Sequence, residues 1–381
     1  MKTIINSLKI VSYFIVLLVI GYSCTNKNDK NKQYNLSVRS LNVTNNTEFD
    51  ANNFIKNISY IKLSTTDPNS LFTEISKIEI KNNLIYVLDA CGQHYVYIFN
   101  MDGSFVQRIG KKGNGPGEYI RLCDFDVDEK GNIYLCDRRK KRIIIYDNHN
   151  KLISDKRMPF RADAFNLLNE GNYIFSVQFD SSKPEKKSKV IITDSSFNIK
   201  RRYFTYDKNC LDDKRSNNIF RENKYGILYN KPVNDTIYEF SKTGELIKAL
   251  YFDFGRKTVP QSLKNSYGKL IIERKKMDFK YFNQPPLLIK NYVMGSLIIG
   301  KTKVFMLYDL KNNKTFQHEM SEDKFTLQNI NFPLNVLNDS VVISSFDMQL
   351  FQYSSNKSDF SSDIQNHIKN GGTVLSFYTL K

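Results

Sequence analysis

The chain has no Trp, four His, five Cys and nine Pro in 381 residues, and its acids are outnumbered, Asp+Glu 39 against Lys+Arg 56. Each shortage closes a class of function. His94, His149, His318 and His367 are scattered, with no pair at metal-ligand spacing, so neither a His-based metal site nor a His-dependent hydrolase is expected. Five Cys over this length do not make a disulfide scaffold, and without a Cys-x-x-Cys there is no zinc or thioredoxin-like motif. The sparse Pro and Gly exclude a collagen-like or low-complexity chain. What is present, 41% apolar and 13% aromatic residues, is too apolar for disorder and enough for one large or two ordinary domains.

One apolar run stands apart. Ile10 to Ile20 follows Lys2 and Lys9 and ends in Gly21-Tyr22-Ser23-Cys24, which reads as a signal peptide over residues 1–23. No later stretch approaches the roughly 18 apolar residues of a membrane helix. A Cys directly after a small Ser resembles a bacterial lipobox, in which that Cys becomes the acylated first residue of the mature protein; Tyr22 departs from the small residue usual there. Cys24 is therefore the expected lipidation site, and several acyl chains at about 0.8 kcal/mol per buried methylene would anchor it permanently. The Asn- and Lys-rich stretch after it makes residues 24–57 an expected flexible tether. It lacks an acidic run beside Cys24, which favours an outer-membrane anchor facing the periplasm.

The remainder repeats one phrase. Ile85-Tyr86-Val87-Leu88-Asp89 returns as Ile133-Tyr134-Leu135-Cys136-Asp137, and Tyr97-Ile98-Phe99-Asn100 returns as Ile144-Ile145-Tyr146-Asp147 and again near Ile237-Tyr238-Glu239-Phe240. A period in the forties with four short strands per unit means propeller blades. The expected fold is all-β, a six-bladed β-propeller of four-stranded blades over residues 58–381. Inner strands are expected near Ile75, Leu122, Ala162, Asn218, Leu287 and Ile330, and second strands near Leu84, Ile133, Tyr173, Gly226, Ser296 and Val341. Ile58 to Leu63 would close the ring as the fourth strand of a last blade whose third strand is Thr373 to Tyr378. A two-domain sandwich is the rival architecture, but it does not require so even a period.

The phrase Ile109-Gly110-Lys111-Lys112-Gly113-Asn114-Gly115-Pro116-Gly117-Glu118-Tyr119, followed by Gly131-Asn132-Ile133-Tyr134, resembles NHL-type repeats and, more closely, the TolB-like six-bladed propeller lipoproteins of Bacteroidetes. The resemblance implies an architecture and supplies no reaction and no catalytic residues. The glycine run lacks the Lys-Ser/Thr ending of a phosphate loop and is read as a bent crossover with Tyr119 packed between blades. Asp124, Asp126 and Asp128 alternate along one face of a strand rather than wrapping a cation, so a hairpin turn with solvated acids is expected, not calcium. Cys123 and Cys136 flank that turn at matching distances and are read as two free thiols.

Charge is the main functional clue, a formal +17. In a four-stranded blade, the crossovers and the loops between strands two and three share one end of the ring. That end collects Lys111, Lys112, Arg138, Arg139, Arg161 and, from the crossover Gly255 to Pro286, Arg274, Lys275 and Lys276, whereas Asp102, Asp128, Glu129, Glu170 and Glu245 fall at the other. The first group forms the expected ligand-binding set, and Leu270 to Met277 is expected as a short helix over the funnel mouth. The sequence points to a cell-envelope binding lipoprotein whose basic face contacts an anionic glycan, lipid head group or protein, without cofactor, metal or nucleic acid. The alternative is a propeller enzyme of lactonase or lyase type with its site in the central funnel, a reading that fold alone does not license.

Overall fold

The structure, a computed structural model, describes residues 36–179, 187–212, 218–231, 233–320, 330, 332–352 and 360–381. The described chain starts with β1 (Ser37–Asn42), β2 (Asn46–Glu48) and β3 (Ile55–Lys62). Blade 1 is β4 (Lys77–Lys81), β5 (Leu84–Asp89), β6 (Tyr95–Asn100) and β7 (Phe105–Ile109); blade 2 is β8 (Leu122–Val127), β9 (Ile133–Asp137), β10 (Arg142–Tyr146) and β11 (Leu152–Arg157). Blade 3 comprises β12 (Ala162–Leu167), β13 (Tyr173–Val177), β14 (Ser188–Thr193) and β15 (Ile199–Thr205), and blade 4 β16 (Phe220–Glu222), β17 (Ile227–Tyr229), β18 (Thr236–Phe240) and β19 (Leu246–Asp253). In blade 5 the inner position is split between β20 (Lys280–Phe282) and β21 (Leu287–Ile289), followed by β22 (Tyr292–Ile299), β23 (Thr302–Asp309) and β24 (Lys314–Glu319). Blade 6 is β25 (Asn335–Asn338), β26 (Val341–Phe346), β27 (Val374–Leu380) and, from the other end of the chain, β3.

The protein is thus a six-bladed β-propeller. Inner strands touch in sequence around the axis, β4 with β8, β8 with β12, β12 with β16, and β21 with β25 with β4. Each interblade space is filled by the facing sides of two sheets, as in the cluster of Tyr86, Leu88, Tyr119, Phe125, Leu135 and Tyr146 between blades 1 and 2. Tyr119 is fully buried there, and the crossover that delivers it turns through positive φ at Gly110 and Gly117, where L side chains are strained.

Ring closure is as expected, with β3 antiparallel to β27 and Tyr60 opposite Ser376. Four of the six second strands begin at the expected residue and a fifth one residue later, at Ile227. In blade 5 the second strand begins at Tyr292, not near Ser296. Gly295 sits mid-strand because an added Cβ would come within 3.2 Å of the Pro286 backbone, so the apolar pattern breaks there. Pro285 and Pro286 supply no N–H and divide the inner strand. Ile330 is buried in the core but lies outside the inner strand of blade 6, which begins at Asn335.

The tether assigned to residues 24–57 needs correction within its described part. From Ser37 the chain is built into the ring: β1 runs parallel to β19 on the outer edge of blade 4, and β2 parallel to β24 on the outer edge of blade 5. Leu41, Val43, Phe49 and Phe54 are buried, and the Phe49 ring lies 5.2 Å from Phe54 and 5.0 Å from Phe305. Arg39 donates to the Leu310 carbonyl and to Asn313, linking the belt on blade 4 to a turn of blade 5. The belt escapes periodicity because two of its strands are added parallel, outside the four-strand repeat. Phe49→Ala should cost about 3–5 kcal/mol of stability in chemical denaturation, whereas Val38→Ser, at a side chain 45% exposed, should cost under about 0.5 kcal/mol.

Candidate functional site

The innermost strand of every blade has one edge with no neighbouring strand, so its N–H and C=O groups face the axis unpaired. On blades 1, 2, 3 and 6, side chains reaching across from other blades cap several of them. Lys77 of blade 1 donates to the Phe125 carbonyl at 2.7 Å and Lys81 to the Val127 carbonyl at 2.7 Å, both on β8. Asp124 of blade 2 accepts from the backbone N–H of Phe125 and, on blade 3, of Phe165, each at 2.8 Å. Asp126 does the same for Val127 and Leu167 at 2.8 Å and takes the Asn166 amide at 3.1 Å. Asn335 of blade 6 donates to the Ile78 carbonyl on β4 at 2.7 Å, and Arg221 of blade 4 reaches the Leu334 carbonyl.

These capping groups are also ion pairs. Lys77 lies 3.0 Å from Asp124 and 3.6 Å from Glu79; Lys81 lies 3.2 Å from Asp126 and 3.3 Å from Glu222, which also pairs with Lys242. Burial alone would lower Lys77, but Asp124, Glu79 and Asp126 outweigh it and hold the ammonium above its ordinary value. Lys81 is raised in the same way by Asp126, Glu222 and Glu79. Burial would raise Asp126, yet Lys81, Lys77 and two backbone N–H groups keep it low. Glu79 is pushed up by burial, and Arg221 is pushed down to about 10 by the same cause.

This axial lattice corrects the reading of Asp124 and Asp126 as solvated acids. Their alternation does put them on one face, but that face is the axis, where each is 1% exposed. Asp128 behaves as expected, accepting from the N–H groups of Lys130 and Asn132 in the hairpin. Asp147 and Asp194 cap other turns at the same end with the same geometry. Among the described residues no three His, Cys, Asp or Glu are grouped to hold a metal ion. Cys123 and Cys136 are buried free thiols, with the Cys123 thiol 3.4 Å from the Cys136 carbonyl.

The basic set divides into two groups at the loop end. Lys140 donates to the carbonyls of Gly113 and Glu118, so the loop carrying Arg138 and Arg139 is fastened to the crossover carrying Lys111 and Lys112. Buried Asp137 holds the same loop by accepting from the N–H groups of Ile120, Arg139 and Lys140, the reason an Asp ends this repeat phrase. Lys111 pairs with Glu118 at 3.0 Å, and Lys112 sits over the Tyr95 ring at 5.5 Å. Arg138 is not a surface contact. Its side chain is 13% exposed and lies 3.3 Å from buried Asp163, which also faces Lys231 at 3.5 Å. Arg139 and Arg161 are exposed.

Arg274, Lys275 and Lys276 belong elsewhere, against blade 5: Arg274 donates to the Tyr281 hydroxyl at 3.1 Å and Lys276 lies 3.9 Å from Glu273. The expected helix forms over Tyr267–Glu273, earlier than Leu270 to Met277. Leu270 packs it on Val233, Val259, Phe279 and Tyr281, at the rim of blades 4 and 5. The crossover is also shorter than Gly255 to Pro286, since β20 lies within it. Cys24 and the signal peptide lie outside the described residues. No described helix is long and apolar enough to cross a membrane.

Fold and axis define a closed six-bladed propeller of exclusively antiparallel blades with two parallel strands added outside. The chain belongs to a family known as a domain of unknown function, DUF4934, whose sequence model matches residues 34–371. It is similar in fold to a Bacteroides fragilis protein provisionally designated as exported, at 20% identity and a TM-score of 0.72 over 91% of this chain and 100% of that one. A member of the DUF4221 family from Bacteroides vulgatus is similar at 10% identity and a TM-score of 0.53 over 86% of this chain and 97% of that one. No protein with a curated description matches.

Replacing Lys77 by Met leaves Asp124 buried without its cation and Phe125 without a donor, and should cost about 3–5 kcal/mol in denaturation. Lys111→Met, at a pair with a largely exposed Lys, should change stability by under about 1 kcal/mol. Because Asp126 titrates low when folded, its contribution is present above the ordinary carboxylate range and is lost as pH falls below about 4. Because Lys81 titrates high, its contribution is present below 10.5 and is lost as pH climbs beyond that value. A stability profile against pH should therefore fall at both ends, with the Lys77→Met profile displaced downward throughout the plateau.

Proposed function

We propose that the protein is a non-catalytic binding lipoprotein of the cell envelope, anchored through Cys24 at the outer membrane and facing the periplasm, with its basic loop end receiving an anionic partner. The observation that carries this reading is the full engagement of the two axial aspartates. Asp124 and Asp126 each hold a lysine and two or more N–H donors, so they have no spare capacity for acid–base work, and recognition is left to the ends of the ring. Exposed Lys112, Arg139, Arg161 and Lys275 supply cations at the loop end, whereas acids at the hairpin end are largely occupied with turns. The lactonase or lyase alternative has less support, because it needs free acidic groups converging on the axis. The partner is a glycan, a lipid head group or a protein bearing negative charge.

Two experiments test this. Cys24→Ser should move the protein from the membrane fraction to the soluble fraction, while a wild-type chain found soluble with an unmodified Cys24 contradicts the anchor. Heparin and vesicles containing phosphatidylglycerol serve as anionic probes for the loop end. Binding should weaken as salt rises, since exposed charges are screened over about 10 Å at 0.1 M. The triple variant Lys112→Glu, Arg139→Glu, Arg161→Glu should lose it at unchanged thermal stability. Arg138 is left out because Glu there would face Asp163. Equal weakening by reversing Lys151 and Lys248 would show that the charge acts diffusely and not through the loop end.

A further inference from the structure

The six inner strands are unequal. β4, β8 and β12 are unbroken strands of 5, 6 and 6 residues, whereas β16 and β25 have 3 and 4 and the blade 5 position is broken into β20 and β21 of 3 each. The long strands of blades 1 to 3 carry the lysines and aspartates that fill the axis, and the short strands of blades 4 to 6 leave space beside them. The result is a funnel of about 350 Å³, lined by the hairpins between first and second strands of blades 4, 5, 6 and 1. It opens at the end opposite the basic loops, and its volume falls in the range of about 300–1,000 Å³ typical of small-molecule sites.

Its chemistry differs from that of the basic end. The charged lining is three acids, Glu79, Glu222 and Asp339, and three bases, Lys81, Lys224 and Lys290, and much of it is paired internally: Lys81 with Glu222 and Lys224 with Asp339. Such walls do not select for net charge. Neutral hydrogen-bonding groups remain. The Asn223 side-chain Oδ1 accepts from the N–H groups of Tyr225 and Gly226 at 2.8 Å and fixes the hairpin that presents Tyr225, while the Asn338 Oδ1 accepts from Ser340 and leaves its amide NH2 to the funnel. Asn338 lies exposed at the mouth beside Asp339. Tyr225 is 67% exposed, the highest value among the large hydrophobic side chains described, and the Lys224 ammonium lies 4.9 Å from its ring centre. An aromatic ring offered to solvent at the rim of a polar, electroneutral funnel suits the C–H face of a sugar ring, while amide and carboxylate groups suit its hydroxyls.

We propose that this funnel binds a short neutral oligosaccharide, with Tyr225 as the stacking platform and Asn338 and Asp339 as hydroxyl partners. The site is independent of the basic end and of any anionic partner there. The test is isothermal titration calorimetry of the full mature chain against linear hexasaccharides of glucose, mannose, xylose and N-acetylglucosamine, at 0.05 M and 0.5 M salt. At least one hexasaccharide should bind, with affinity changed by less than about twofold by salt, since no net charge is neutralised. Tyr225→Ala should weaken binding about tenfold or more and Tyr225→Phe by less than about threefold, as expected for an exposed aromatic contact. The triple loop-end variant should bind as wild type. Failure of all four sugars to bind, undiminished binding by Tyr225→Ala, or binding that fades with salt and with the loop-end charges would each overturn the proposal. Both variants carry the change on an exposed side chain, so a thermal melt matching wild type separates lost contact from lost fold.

Discussion

A propeller closes its sheets into a ring but cannot close the inner edge of each sheet, and the structure follows from how this chain deals with those edges. A buried backbone group without a partner costs about 1–3 kcal/mol. Here the residues at alternate positions of one inner strand cap the next: Lys77 and Lys81 take carbonyls of blade 2, and Asp124 and Asp126 take N–H groups of blade 3. Period-two alternation makes this possible, because positions two apart on β4 and β8 point the same way along the axis. A lysine that caps a carbonyl brings a charge with it, and the carboxylates that cap N–H groups neutralise that charge. Backbone satisfaction and ion pairing are therefore one arrangement, not two.

The outer edges are handled differently around the ring. The N-terminal segment supplies an added strand to blade 4, another to blade 5 and the closing strand of blade 6, so half of the ring has its perimeter covered by a single stretch of chain. Blades 1 to 3 keep β7, β11 and β15 as their outermost strands. The same halves differ inside: blades 1 to 3 supply the long inner strands and most of the axial lattice, and blades 4 to 6 the short ones that leave the funnel. Sixfold repetition in topology thus coexists with a two-part division of labour. The funnel on the side of the short strands is lined by three acids and three bases.

Much of the ring was legible because its signals are local. Ile-Tyr-Val-Leu-Asp repeats report a buried second strand plus an Asp, and Asp89 and Asp137 both spend that carboxylate on loop N–H groups. Closure by Ile58 to Leu63 was legible from alternation arriving too early in the chain. The parallel belt was not, since Asn46–Glu48 is three exposed polar residues whose strand character comes entirely from β24. Nor was the axial lattice, because Asp124 alternating with Asp126 looks the same facing water or facing Lys77, and the deciding neighbour is 47 residues away. Arg138 and Arg139 illustrate the limit at the candidate site: adjacent in sequence and alike in type, one is spent on buried Asp163 and the other is free at the surface.

Residue-resolved hydrogen exchange tests the axial capping most directly. The N–H groups of Phe165 and Leu167 point at no strand, and their partners are the carboxylates of Asp124 and Asp126. If capping holds the inner edges, both amides should exchange as slowly as those inside β13, and Asp126→Ala should release Leu167 while the ladder amides of blade 3 stay protected. Exchange of Phe165 and Leu167 in the unaltered protein at the rate of an open turn amide such as Gly171 would contradict the account.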